Sequence, residues 1–206
     1  MASLLCLALE LVRELHFGLP GLRFLLWNLF LAWIPLLLAL ATYDGERRGR
    51  PLRSLLLPGL GWLLFLPNAP YIVTDFVHLA PRPPAPLWFD ATMLASFAAT
   101  GVLLGFISLY LVQAAVQRRL GAGAGWATAL GALALGSAGI YLGRVGRWNS
   151  WDLILEPGSR LSELATRLLN PVGLSRAAAI VAVLAALQAL TYAGFYALIG
   201  LRSEGR

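Results

Sequence analysis

The most constraining feature of this sequence is the length of its apolar stretches. A helix rises about 1.5 Å per residue, so about 20 apolar residues are needed to cross a hydrocarbon layer of about 30 Å. Four stretches reach that length, at 22–42, 87–116, 122–142 and 177–201. Of the 206 residues, 59% are hydrophobic and only 13% are charged, which excludes a water-soluble fold. The sequence therefore predicts an all-α integral membrane protein.

A further span is predicted to be a broken helix. The apolar stretch at 55–66 is about 18 Å long as a helix, which is too short to cross a bilayer. Its continuation contains Pro67 and Pro70, which interrupt the helical hydrogen-bond ladder. We expect a bundle of about five transmembrane helices, or six if the apolar and amphipathic N-terminal segment 1–21 also crosses. Residues 1–206 are predicted to form a single transmembrane domain.

An amphipathic segment at 159–170 follows the fourth span. Leu161, Leu164 and Ala165 recur at the spacing i, i+3, i+4, and the charged residues lie on the other faces. The segment is flanked by Pro157 and Pro171, which are typical of helix boundaries. We expect an interfacial helix that lies along the outer membrane surface.

The arrangement of basic residues gives the sidedness of the chain. All 16 basic residues are arginine, and the net charge is +6. They form short clusters between spans, without the basic stripe and interleaved aromatics of nucleic-acid-binding proteins, so we expect no nucleic-acid partner. The densest cluster, at 43–54, indicates the cytoplasmic side, and span counting then places 79–87 and 143–176 outside. The single cysteine, Cys6, permits no internal disulfide and no sulfur-based redox motif, and we expect no cofactor.

Polar residues converge on the outer side by the same span count. Ionisable groups near lipid are energetically costly and tend to be paired, hydrated or functional, so this set is the candidate ligand site at the extracytoplasmic boundary. The candidate ligand-binding residues are Asn68, Tyr71, Thr74, Asp75, His78, Asp90, Tyr141, Arg144, Arg147, Trp148, Asn149, Trp151 and Asp152.

Within the broken span, Tyr71, Thr74, Asp75 and His78 share one face if the segment is an α-helix. Asp75 and His78 are therefore the catalytic candidates, as an acid/base pair. With Asp90 they also offer imidazole and carboxylate ligands for a divalent ion. No HExxH-type spacing supports a metal, and we predict none.

After the fourth span, Arg144 and Arg147 could clamp a phosphate or a carboxylate, because the guanidinium group binds both in a planar bidentate geometry. An alternative stays open, in which the aspartates pair with these arginines and lock the helix ends together without a ligand. The tryptophans in this region also fit an interfacial aromatic belt.

Small and polar residues inside the spans predict contacts between helices. Asn28 is a lone amide in a leucine-rich helix and must find a partner. In the last span, one polar stripe is expected to hydrogen-bond a neighbouring helix, and it comprises Gln188, Thr191, Tyr192 and Tyr196. Glycine pairs four residues apart, Gly101 and Gly105 in the third span and Gly121 and Gly125 in the fourth, predict that these two spans pack together.

Three motifs carry a resemblance to a known family. They are WNLFLAWIP at 27–35, FLPNAPYIVTD at 65–75 followed by His78 and Leu79, and RWNSWD at 147–152. The chain resembles the bacterial multi-pass membrane proteins grouped as domain of unknown function 1361, and the likeness extends from about Arg23 to Leu201. The resemblance implies an integral membrane protein and brings no activity, substrate or cofactor with it.

The residues favour a bacterial inner-membrane protein that binds a lipid headgroup or another anionic ligand at its extracytoplasmic boundary, and they leave open whether it is an enzyme. One alternative is a small-solute transporter or channel subunit, since discontinuous helices build transporter sites. A transporter of this size would need to form a homodimer. Another alternative is a structural or assembly partner of another membrane protein. A pocket open to the lipid favours the first hypothesis, and a sealed, fully paired polar cluster favours the last.

Overall fold

The computed structural model describes residues 1–19 and 21–204, and these residues are helical without any β-strand. The helices are α1 (Ala2–Phe17), α2 (Arg23–Arg47), α3 (Leu52–Phe65), α4 (Asn68–Tyr71), a 3-10 helix (Ile72–His78), α5 (Leu87–Leu120), α6 (Ala122–Val145), α7 (Asp152–Leu155), α8 (Pro157–Leu168) and α9 (Pro171–Glu204). Five segments of the described chain are long and apolar enough to cross a membrane: α2, the stretch from α3 to the 3-10 helix, α5, α6 and α9. The predicted all-α membrane fold is confirmed.

The chain divides into two compact units, Met1–Val112 and Gln113–Arg206. The first unit contains α1 to the 3-10 helix and most of α5. The second unit contains the end of α5 and the helices that follow it.

The second span is broken where the prolines predict it. Helix α3 ends at Phe65, a turn at 66–67 follows, and the chain resumes as the single turn α4 and the 3-10 helix. The break falls here because Pro67 and Pro70 have no backbone N–H to donate. In α3, before the break, the indole Nε1 of Trp62 donates to Ser108 Oγ at 3.2 Å and connects α3 to α5.

Two glycines of α5 pack closely against the broken segment. A Cβ at Gly101 would collide with the carbonyl oxygen of Ala69, and a Cβ at Gly105 would lie 3.2 Å from the Ala69 Cβ. The sequence predicts that this glycine pair packs against the fourth span, but the partner in the structure is the second span. The reason is the helix break, which brings the buried Ala69 backbone so close to α5 that only a residue without a side chain fits at Gly101.

Helix α1 packs along both α2 and α5. Near its start, the Trp33 indole donates to Ser3 Oγ at 3.2 Å, and Cys6 Sγ lies 3.4 Å from Thr100 Oγ1. Near its end, Arg13 forms a buried ion pair with Asp90. Helix α1 is about 24 Å long and is not among the five candidate spans. Its outer face is apolar and exposed, through Leu4, Leu5, Leu7, Leu11 and Leu15.

In the second unit, α9 is held by the polar stripe that the sequence predicts to bond a neighbouring helix. Gln188 Nε2 donates to Ser137 Oγ of α6 at 2.7 Å, and the buried Tyr192 hydroxyl donates to Gln113 Oε1 at 2.6 Å. The Tyr196 ring lies 4.9 Å from the ring of Trp126. The prediction of helix-to-helix hydrogen bonds is thereby confirmed for Gln188 and Tyr192, whereas Thr191 bonds to the Leu187 carbonyl of its own helix.

The Arg13–Asp90 pair gives a first prediction about stability. Because both side chains are buried, Asp90→Ala removes the bidentate partner of a buried guanidinium and should lower the free energy of unfolding by about 3–5 kcal/mol. The double variant Arg13→Met/Asp90→Leu replaces the pair by apolar side chains and should stay close to the wild type. Denaturant unfolding in detergent, followed by tryptophan fluorescence, measures both. The exposed Asp44→Asn is the control, and an equal effect of Asp90→Ala and Asp44→Asn would contradict the assignment.

The tight approach at Gly101 gives a second prediction. Gly101→Ala should destabilise the protein by about 1–3 kcal/mol, since its Cβ has no room beside the Ala69 carbonyl. Gly59→Ala in α3 meets no atom within 4 Å and should be neutral or stabilising by up to about 1 kcal/mol, because alanine favours helix more than glycine. The same unfolding measurement compares the two variants. Equal stabilities of Gly101→Ala and Gly59→Ala would show that the close contact is absent.

Candidate functional sites

The 3-10 helix sets the geometry of the two catalytic candidates in the first unit. With three residues per turn, Asp75 and His78 lie on one edge. Both face the start of α2: Asn28 Nδ2 donates to Asp75 Oδ2 at 2.7 Å, and the His78 ring lies 4.9 Å from the Phe24 ring. The partner required by Asn28 is thus Asp75. Asp75 is 1% exposed, whereas His78 is exposed, and their role as an acid/base pair stays a prediction.

The predicted α-helical face through Tyr71, Thr74, Asp75 and His78 is wrong in one respect. Because the segment winds with three residues per turn, Tyr71 and Thr74 align with each other and leave the edge that carries Asp75 and His78. Thr74 Oγ1 donates to the Tyr71 carbonyl at 2.8 Å, and Asn68 Nδ2 donates to the Phe65 carbonyl at 3.0 Å. These side chains therefore satisfy backbone carbonyls around the helix break.

Asp90 lies in a buried ion pair whose partner the sequence analysis missed. Arg13 Nε donates to Asp90 Oδ1 at 2.9 Å, and Arg13 Nη2 donates to Asp90 Oδ2 at 3.3 Å. This bidentate geometry is the strongest that arginine and a carboxylate form. The sequence signal was available, since Glu10, Arg13 and Glu14 lie at i, i+3 and i+4 on an otherwise apolar helix.

Glu10 is the unusual member of that group. It is 4% exposed, and neither carboxylate oxygen has a hydrogen-bond partner among the described residues. Burial raises the pKa of the Glu10 carboxyl above its ordinary value. The Arg13 charge opposes this rise in pKa, as does the Leu22 backbone, which lies near the carboxyl without reaching hydrogen-bond geometry. Both oxygens are therefore available as acceptors.

The polar cluster of the second unit is organised around Arg160. This side chain forms ion pairs with Asp152 at 3.3 Å, Glu163 at 3.3 Å and Glu156 at 3.8 Å. Its guanidinium lies 5.6 Å from the centre of the Trp148 ring, and the Trp148 indole donates to Glu163 Oε2 at 2.9 Å. Arg160 and Glu163 belong to the amphipathic helix α8, so part of its charged face packs on the preceding loop.

The loop before α7 is hydrogen-bonded to Asp152, one of the partners of Arg160. The Asn149 backbone N–H donates to Asp152 Oδ2 at 2.8 Å, and Trp151 is half-buried beside it. Arg147 has a left-handed backbone, with φ of 57°, and an exposed side chain. Trp148, Asn149 and Asp152 thus hold the loop in shape. The role of Arg144 and Arg147 in binding an anion stays a prediction.

A pocket of about 320 Å³ lies between α6, α8 and α9. Its wall is mostly apolar, and among the described residues that line it the polar side chains are those of Tyr141 and Asn170. The apolar wall includes Leu142, Leu164, Ala177 and Val181. Arg144 lies three residues after the lining residue Tyr141 in α6, a spacing that puts the two residues on the same helix face.

No set of three histidine, cysteine, aspartate or glutamate side chains that could hold a metal occurs among the described residues.

No curated protein and no solved structure matches the chain. The family model described as "Protein of unknown function (DUF1361)" matches residues 27–191, which is most of the chain, and the protein therefore belongs to that family.

Proposed function

We propose that the protein binds an anionic lipid in its second unit, with an acyl chain in the pocket between α6, α8 and α9 and the headgroup at Arg144 and Arg147. The observation that carries this proposal is the apolar pocket of about 320 Å³ one helical turn from Arg144. From the span count, we assign this site to the extracytoplasmic face of a bacterial inner membrane.

The pocket has the properties of a site for an apolar chain. Its volume falls in the range of small-molecule sites, about 300–1,000 Å³. An acyl chain gains little apolar burial when it moves from the bilayer into such a pocket, since lipid tails are as apolar as the leucine and valine side chains of its wall. The selectivity for one lipid over another must therefore come from the headgroup.

The headgroup end is basic and close to the membrane surface. Arginine binds phosphate in a bidentate manner, and Arg144 and Arg147 together bring two positive charges to the end of α6. Helix α7 follows directly and exposes Leu153, Ile154 and Leu155, which favours contact with lipid at this end of the unit. The paired cluster around Arg160 supports the site by fixing α8, which forms one wall of the pocket.

Native mass spectrometry of the detergent-purified protein tests this proposal, with phosphatidylglycerol and phosphatidylcholine of identical chains as probes. We expect the wild type to retain phosphatidylglycerol in preference to phosphatidylcholine. Arg144→Gln should reduce that retention about tenfold, the effect of losing one charge-assisted hydrogen bond. Arg48→Gln, which removes an exposed arginine from the turn after α2, should leave retention unchanged.

A second pair of variants tests whether the acyl chain lies in the pocket. Ala177→Phe should fill the pocket and abolish retention of the lipid, whereas Ala179→Phe, on the same helix but outside the pocket wall, should not. Equal retention of the two lipids by the wild type, or equal effects of Ala177→Phe and Ala179→Phe, would overturn the proposal.

A further inference from the structure

We propose that Glu10 and Glu14 of α1, together with the backbone at Gly21, form a binding site for a primary ammonium group. The site belongs to the first unit, and it does not depend on the lipid-binding function proposed for the second.

The charges around Glu10 do not balance. Arg13 is the buried cation of this region, and two of its donors are directed to Asp90 at 2.9 and 3.3 Å. Arg23 approaches Glu14 only to 3.7 Å with a side chain that is 83% exposed, and such surface pairs contribute little. Two carboxylates at i and i+4 repel each other on a helix, and a buried carboxylate without a partner is costly. A cation at this position removes both penalties.

The two carboxylates converge at one point. A Cβ at Gly21 would lie 2.5 Å from Glu10 Oε1 and 2.7 Å from Glu14 Oε1, so both oxygens converge on the same side of the Gly21 backbone, where a residue with a side chain would displace them. The Gly21 backbone N–H donates to Glu14 Oε1 at 3.2 Å and holds that carboxylate in place. Both oxygens of Glu10 are buried and have no partner among the described residues.

The two glutamate side chains suit an ammonium group better than a metal ion. The described residues offer no third histidine, cysteine or carboxylate that would complete a metal site here. A primary ammonium group instead carries three N–H donors, enough to serve oxygens of both glutamates at once. Glu14 is partly exposed, so a ligand can enter beside it.

The ammonium group has two possible sources. The exposed leucines of α1 contact lipid in a membrane, which brings the ethanolamine headgroup of a phospholipid within reach. A soluble primary amine offers the same three donors. Choline is the matched negative probe, because its nitrogen is fully methylated and cannot donate a hydrogen bond.

The test compares phosphatidylethanolamine and phosphatidylcholine of identical chains by native mass spectrometry, and ethylammonium and tetramethylammonium chloride by thermal unfolding, on the full-length protein in detergent at neutral pH. In the wild type we expect retention of phosphatidylethanolamine, a rise of Tm with ethylammonium, or both, without an effect of the methylated analogues. Glu10→Gln should weaken the response about tenfold or more. Asp44→Asn removes an exposed carboxylate from the same unit and should change nothing.

A second variant keeps the test valid if Glu10→Gln does not fold. Gly21→Ala leaves every charge in place and puts a methyl group where the two oxygens converge, so it should also abolish the response. Retention of the ethanolamine lipid identifies a lipid source, and a response to ethylammonium alone identifies a soluble amine. A wild type that distinguishes neither pair of probes would overturn the proposal, as would a response that survives in both Glu10→Gln and Gly21→Ala.

Discussion

The structure depends on one constraint: a polar group inside an apolar helical bundle needs a partner within reach, since lipid supplies none. The first unit meets it with Arg13–Asp90 between α1 and α5, Asn28–Asp75 between α2 and the 3-10 helix, and Trp62–Ser108 between α3 and α5. Each pair joins elements that are distant in sequence. The helix break depends on the same rule, because Asn68 and Thr74 turn their side chains to carbonyls beside it.

The constraint also separates residues that build the fold from residues that are candidates for binding. Some of the candidate residues hold parts of the fold together through ion pairs and hydrogen bonds within the protein, namely Asp90, Asp152 and Trp148. Glu10 breaks the rule, since it is buried and its oxygens lack a partner among the described residues. The apolar pocket between α6, α8 and α9 is a place where the structure offers space and not only contacts.

Much of the fold was predictable because it follows from local pattern. Span length and hydropathy identify the long helices, Pro67 and Pro70 identify the break, and a lone Asn28 in an apolar helix requires a partner. The identity of that partner was not predictable, since Asn28 and Asp75 are 47 residues apart and meet only when α2 and the 3-10 helix pack.

Other features were not predicted from the sequence. The winding of Ile72–His78 as a 3-10 helix changes which side chains align, and the spacing alone does not distinguish it from an α-helix. The charged residues of the amphipathic helix were placed on faces away from its apolar side, and the ion pair of Arg160 with Asp152 was not predicted. Arg13 and Glu10 lie in a largely apolar segment, and the ion-pair partner of Arg13, Asp90, is 77 residues away in the sequence. For Arg160 and Arg13 the missing information is tertiary.

The position of the single cysteine makes the packing of α1 measurable. Cys6 is completely buried against Thr100, so a thiol reagent reaches it only while α1 is separated from α5. The rate at which a membrane-permeant maleimide labels the unmodified protein therefore reports the opening equilibrium of this helix, in the manner of hydrogen exchange at a buried amide. Cys6 is therefore a native reporter of local unfolding. Because it is buried, a cysteine introduced on the surface can be labelled selectively.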